Sequence, residues 1–281
     1  MRTKLILTEG LPGSGKTTTA EAIFGLLKKD SKEAELYLEG DLDHPADYES
    51  TSFLTFEEYT AFTSAYEAYR DMIARFSEKL ENGYLIYYAK LKKEPVIHIP
   101  DELISDLYQY DIYELPLDLH IELMKDKWKK FTEYALKENR VYVFECCFIQ
   151  NPLTICMVKH HAPKEAIFRY IQELEEIIEP LQPALIYVDQ PDIAPAFGKA
   201  IKERPMSWSE NFIDYYTKQG YGKAFGLSGV TGTIQVLQER KKLEEHFLQR
   251  LNIKSLTINN SSFDVSSHTA ALRDAIQILI S

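Results

Sequence analysis

The sequence predicts an α/β protein with a mainly parallel sheet, and two observations carry that expectation. Short apolar, β-rich runs alternate along the chain with amphipathic helical segments, and the first run breaks directly into a glycine-rich turn that opens a helix. Strands that alternate with helices pair in parallel and leave two sheet faces to be covered. The 281 residues, 45% hydrophobic and 27% charged with 12 Gly and 12 Pro, are ordinary globular composition and exclude collagen-like and disordered classes. The length allows roughly two domains of about 150 residues, or one α/β nucleus that carries a large insertion.

Taken in order, Thr3 to Glu9 is the first strand and Ala20 to Lys29 belongs to the helix after the turn. Ala34 to Glu39 alternates loosely and ends in Gly40-Asp41-Leu42-Asp43. Val141 to Phe144 is a continuous apolar run closed by Glu145, Ala184 to Val188 ends at Asp189, and Ile253 to Ile258 ends at Asn259-Asn260. Such uninterrupted runs suit parallel strands buried on both faces. Between them, Phe62, Tyr66, Tyr69, Ile73, Phe76 and Leu80 step by three and four, as do Ile121, Met124, Trp128, Phe131 and Ala135. That spacing predicts amphipathic helices. Ile167 to Ile178 and Leu243 to Leu251 give two more. The core is therefore expected over 1–45 and 141–281, with 46–140 as a helical inserted subdomain that serves the substrate, because so long a stretch with its own helices is not a loop.

The formal charge is −11, from 43 acidic and 32 basic residues, which repels nucleic acid and anionic lipid, so neither is an expected partner. Cys146, Cys147 and Cys156 form no even-numbered disulfide framework, and Leu5-Ile6-Leu7 is too short for a signal peptide or a membrane span. A reduced, cytoplasmic enzyme is the expectation.

Gly10, Gly15, Lys16 and Thr17 fill the pattern G-x-x-x-x-G-K-[ST]. In that pattern consecutive backbone N–H groups and a helix N-terminus cradle phosphates, the lysine reaches the β- and γ-phosphates, and the hydroxyl joins a Mg²⁺ shell. The expected nucleotide-binding set is Gly10, Pro12, Gly13, Ser14, Gly15, Lys16, Thr17 and Thr18. Acids at strand ends complete the chemistry. Asp41 is placed to accept a proton from an attacking hydroxyl, with Asp43 beside it toward the substrate, and Glu145 with Thr17 to hold the metal. Gln150 and Asn151 are expected as polar contacts to the substrate. A second basic group, Lys199, Lys202 and Arg204, follows the fourth strand, where Arg204 would neutralise a transferring phosphoryl group from a closing lid over about 199–232. Arg240, Lys241 and Lys242, flanked by Glu239 and Glu244, read as an exposed helix face. The adjacent pairs Cys146-Cys147 and His160-His161 lack the spacing of a metal ligand set.

On these features the chain resembles the P-loop small-molecule kinases, the group that includes nucleoside and nucleotide kinases, shikimate and gluconate kinases and the zeta toxins. Thr8-Glu9-Gly10 and Leu185 to Asp192 are similar to the first-strand end and fourth strand of thymidylate and deoxynucleoside kinases. The resemblance implies a P-loop NTPase fold of three α/β/α layers with a five-stranded parallel sheet in order 2-3-1-4-5. It also implies ATP with Mg²⁺ and transfer of the γ-phosphoryl group to a hydroxyl of a small molecule such as a nucleoside, sugar or antibiotic. Where thymidylate kinases follow the third-strand acid with Arg, this chain has Cys146-Cys147, so the acceptor is left unnamed. The rival expectation is a nucleotide-gated ATPase or binding protein that acts on a macromolecular partner.

Overall fold

The computed structural model describes residues 3–280, the side chain of Ile280 apart. The chain divides into two compact units, one made of residues up to Glu39 and from Lys125 onward, the other of Gly40–Met124. The sequence places this insertion at 46–140 instead.

In chain order the elements begin with β1 (Leu5–Glu9), α1 (Lys16–Lys29) and β2 (Ala34–Tyr37). The second unit follows with β3 (Ser52–Thr55), α2 (Phe56–Ala65), α3 (Arg70–Arg75), β4 (Ser77–Lys79), β5 (Gly83–Ile86), α4 (Tyr88–Lys92) and α5 (Asp101–Tyr108). Then come α6 (Leu117–Lys137), β6 (Val141–Glu145), α7 (Gln150–Leu153), a π-helical stretch (Thr154–Lys159), α8 (Lys164–Ile178) and β7 (Ala184–Asp189). The chain closes with α9 (Ile193–Glu203), α10 (Met206–Thr217), α11 (Gly220–Ala224), α12 (Gly229–Leu248), β8 (Lys254–Asn259) and α13 (Val265–Ile280).

The first unit holds a five-stranded parallel sheet in the order β2-β6-β1-β7-β8. Written over all eight strands this is 2-6-1-7-8 rather than 2-3-1-4-5. The labels part because the insertion, expected to be helical, contributes β3, β4 and β5 between the second and third strands of this sheet. Alternation decides which helix meets which face. Ile6, Val143, Ala184, Ile186 and Ile258 pack with Ile23 and Leu27 of α1 and Leu272 and Ile276 of α13. Their neighbours turn the other way: Phe144 meets Trp128 of α6 with ring centroids 6.0 Å apart, and the Tyr187 hydroxyl meets Glu244 of α12. Helices thus flank both faces, and the inward rings fill space a smaller side chain would leave void. The register pairs Thr8 with Glu145 and Glu9 with Tyr187, so the carboxyl ends of β1, β6 and β7 come level beside the glycine turn. That end of a parallel sheet is where α/β proteins bind ligands.

The second unit is a three-stranded antiparallel sheet, β3-β5-β4, with helices on it. The run expected as one helix from Phe62 to Leu80 is broken: α2 stops at Ala65, a 3₁₀ turn spans Glu67–Tyr69, α3 ends at Arg75 and β4 follows. Phe62 and Ile73 are nonetheless buried in one cluster with Leu54 and Ile86, so the three-four spacing reported a shared core rather than a continuous helix. Thr55 caps α2 in a reciprocal box with Glu58. The aromatic-rich segment from Tyr84 to Tyr88 forms most of β5 and the start of α4. Among the described residues no helix is long and apolar enough to cross a membrane.

Candidate functional site

The glycine loop leaves β1 at Gly10 and enters α1 at Lys16 with Gly10, Gly13 and Gly15 at φ 143°, 84° and 96°. Those values suit glycine because a Cβ there is crowded by its own backbone. Two of the glycines are also hemmed in from outside. A Cβ at Gly10 would stand 2.4 Å from the Val188 carbonyl oxygen of β7, and one at Gly15 would stand 2.5 Å from Asn260 Nδ2. Asn260, just past β8, donates from that nitrogen to the Ser14 carbonyl at 2.8 Å and fixes the crest of the loop. The Lys16 ammonium, nearly buried, donates back to the Leu11 carbonyl at 3.0 Å.

Thr17 on the first turn of α1 donates to Glu145 Oε1 at 2.6 Å, which links the loop to the end of β6. The other oxygen of Glu145 accepts the Glu39 amide at 3.2 Å. Glu39 accepts in turn from Gln150 Nε2 at 2.9 Å and, weakly, from the Cys146 thiol at 3.5 Å. Acceptor and thiol atoms of Glu39, Glu145 and Cys146 all lie within 4.8 Å of one another. Cys146, set aside as a ligand from sequence spacing, therefore belongs to this cluster, because Glu39 arrives from a distant strand. Burial pushes its thiol well above the ordinary range. Its φ of 67° is strained for a residue with a side chain and turns the chain sharply after β6.

Glu9 lies beneath this layer, fully buried. Its two oxygens accept the amides of Phe148 at 2.7 Å and Gln150 at 2.9 Å. Burial outweighs those hydrogen bonds and lifts its carboxyl to about 7. Glu9 thus holds the turn after β6, a capping role.

A cavity of about 720 Å³ opens above the loop. Its floor includes Pro12, Gly13, Gly15, Lys16, Thr17 and Thr18, with Glu39, Glu145, Gln150 and Asn151 to one side. Gly10 and Ser14 do not line it: Gly10 serves the crossing against β7, and the Ser14 side chain is buried. Segments after β8 supply Asn260, Phe263, Val265, His268 and Thr269, while α9, the residue after it and α10 supply Lys199, Arg204, and Trp208 with Phe212. Lys199 sits 3.6 Å from the Phe263 ring centroid, and Arg204 lies exposed over Trp208 at 4.3 Å. Lys202 is exposed and forms no part of this wall.

Asp41 and Asp43 belong to the second unit. There Asp41 Oδ1 accepts the Asp43 amide at 2.9 Å, and Asp43 pairs with Lys90 at 2.5 Å. The acid that the first unit itself carries after β2 is Glu39, which the sequence reading passed over in favour of the more familiar Asp-x-Asp pattern.

Arg240 corrects the reading of an exposed basic helix face. It is fully buried. Its guanidinium donates to Glu244 at 2.7 Å, to the Thr154 and Tyr216 hydroxyls at 2.8 Å each, and to the Gln150 carbonyl at 3.2 Å. Tyr187 donates to the second oxygen of Glu244 at 2.6 Å. Lys241 is mostly covered and pairs with Asp189 at 2.7 Å, so of the three only Lys242 faces solvent. The signal was present: Thr233, Val236, Leu237, Arg240, Glu244 and Phe247 fall on one stripe of α12, and that stripe is the buried one.

No protein-family model matches the chain, and a search of the curated proteins finds no match.

Proposed function

We propose that the protein is an ATP- and Mg²⁺-dependent phosphotransferase that moves the γ-phosphoryl group to a hydroxyl of a small molecule. One observation carries the reading: a strand-to-helix glycine loop with Lys16 at its crest forms the floor of the cavity, and its Thr17 is already joined to the strand-end acid Glu145 at 2.6 Å. The loop conformation suits phosphate oxygens, since glycines at positive φ let backbone N–H groups converge and the N-terminus of α1 adds its dipole. Lys16 holds a single backbone carbonyl that a phosphate can replace.

The donors also suit a hard divalent ion: the Thr17 hydroxyl and the Glu145 carboxylate both offer oxygen. When bound, Mg²⁺ supplies neutralisation of phosphate charge. The protein's own part is to hold the triphosphate along Gly13 to Thr18 and to present a carboxylate to the acceptor hydroxyl. As that oxygen bonds to the γ-phosphorus and the bond to the leaving phosphate breaks, the hydroxyl proton passes to the carboxylate. Glu39 is in the cavity wall and takes this role in our reading, with Asp41 the alternative from the sequence pattern. Arg204 and Lys199 supply positive charge from α9 and the residue after it.

The test is incubation with Mg-ATP and pooled hydroxyl-bearing metabolites and antibiotics, with Lys16→Ala as control, read by mass spectrometry for a gain of one phosphate. A phosphorylated compound that disappears with Lys16→Ala supports the proposal. ATP binding with no product in any pool overturns it. Parallel Glu39→Gln and Asp41→Asn variants assign the base to whichever loses turnover while ATP affinity holds.

A further inference from the structure

The cavity has two flanks of different chemistry. β6 and β8 stand on opposite sides of β1 in the sheet, so segments that follow them reach the glycine loop from opposite sides. The β8 side brings Phe263, Val265 and His268. The β6 side brings Gln150 and Thr154, and Arg240 ties both to α10 through the Tyr216 hydroxyl.

On α10, Trp208, Phe212 and Tyr216 follow at intervals of four and form a ladder. Phe212 and Tyr216 stack at 4.2 Å with planes 14° apart, and Trp208 and Phe212 lie at 5.0 Å and 32°. Arg204 covers the outer ring at 4.3 Å. The faces that meet within the ladder, and the Trp208 face under Arg204, are occupied, which leaves ring edges as what the stack offers to the cavity that all three residues line. Aromatic edges carry partial positive charge and attract the negative face of another ring. A cationic ligand meets those edges, Arg204 and Lys199, and is disfavoured. A saturated ring offers no such face. Beside the ladder, Gln150 is buried with its Nε2 committed to Glu39 and its Oε1 without a hydrogen-bond donor. An acceptor atom buried without a donor, on a residue that lines the cavity, lacks a polar hydrogen that a ligand N–H or O–H can bring.

We propose that the phosphoryl acceptor is a neutral small molecule with a planar aromatic or heteroaromatic ring close to its hydroxyl, seated edge-to-face on α10 with a polar hydrogen directed to Gln150. The assignment rests on the phosphotransferase reading, since it names that reaction's acceptor. The nucleotide base goes to the β8 flank.

The experiment titrates the full chain, with and without Mg-ATP, against aryl alcohols matched to cyclohexyl counterparts, 2-phenylethanol with 2-cyclohexylethanol among them. Ligand-observed NMR and Trp208 emission are the readouts. The aryl member should bind about fivefold tighter, and Phe212→Leu and Trp208→Leu should each bring the preference to within about twofold. Trp208 is half-exposed, so its variant keeps the test alive if Phe212→Leu fails to fold. Equal binding within each pair, no binding by any aryl alcohol, or a preference that survives both variants overturns the inference. So does a Phe212→Leu protein that loses Mg-ATP instead, because the wall then belongs to the nucleotide base. Wild-type protein that fails to bind Mg-ATP, or binds it no better than Lys16→Ala, overturns the phosphotransferase reading, whatever the aryl preference.

Discussion

Lys16 and Arg240 are both buried cations in the first unit, and they are buried differently. Lys16 is held by one backbone carbonyl at the crest of a glycine loop and lines the cavity. Arg240 spends its donors on Glu244, Thr154, Tyr216 and the Gln150 carbonyl, outside the cavity lining. A buried charge with four of its five donors committed has little left for a ligand. One that is sparsely bonded is poised to exchange its partner for a stronger one. The comparison separates a cation that holds the fold from one that is available for chemistry, though residue type and burial are alike.

The sharpest way to break this contrast is to remove each charge. Arg240→Met should cost about 3–5 kcal/mol, because Glu244 is left buried and unpaired; thermal and urea unfolding measure it. A loss under about 1 kcal/mol would show that the network is not structural.

Next in size is Glu9→Gln, which leaves one of the Phe148 and Gln150 amides without a full acceptor at about 1–3 kcal/mol. Its pH signature is more telling. A carboxyl raised from 4.5 to about 7 binds its proton more tightly when folded, so wild-type stability should fall as pH rises from about 4.5 to about 7 and level off above. The Glu9→Gln protein should lack that slope, and an unchanged slope would assign it to another group.

Lys16→Met should cost only about 1 kcal/mol, the worth of one hydrogen bond, while phosphoryl transfer in our reading drops by about 100-fold or more. If its unfolding curve shifts as far as that of Arg240→Met, the distinction between the two cations fails. The smallest effect belongs to Asp43→Asn. Its pair with Lys90 is largely solvated, and the change should shift stability by about 0.5 kcal/mol or less.

The parallel strands and the glycine loop were legible because each rests on a local pattern, an apolar run or a fixed spacing of small residues. What escaped was set by residues far apart in the chain. Glu39 meets Cys146 and Gln150 only once β2 and β6 pair. The strands of the second unit hid behind helical spacing, since Phe62 and Ile73 enter one core from separate helices. Arg240 escapes for another reason: its charged neighbours point to solvent, while its position on the α12 stripe buries it. Side-chain identity suggested solvent, and periodicity would have buried it.

Gly10 has a consequence for how this chain can change over time. Its absent side chain is the room in which the Val188 carbonyl lies, and both are backbone, so no compensating replacement elsewhere restores the space. At Gly15 the obstacle is the Asn260 side chain, so a smaller partner opens a two-step route there, at the cost of backbone strain. Descendants of this sequence can therefore drift at position 15 through paired changes, whereas position 10 is closed for as long as β7 keeps its place beside β1.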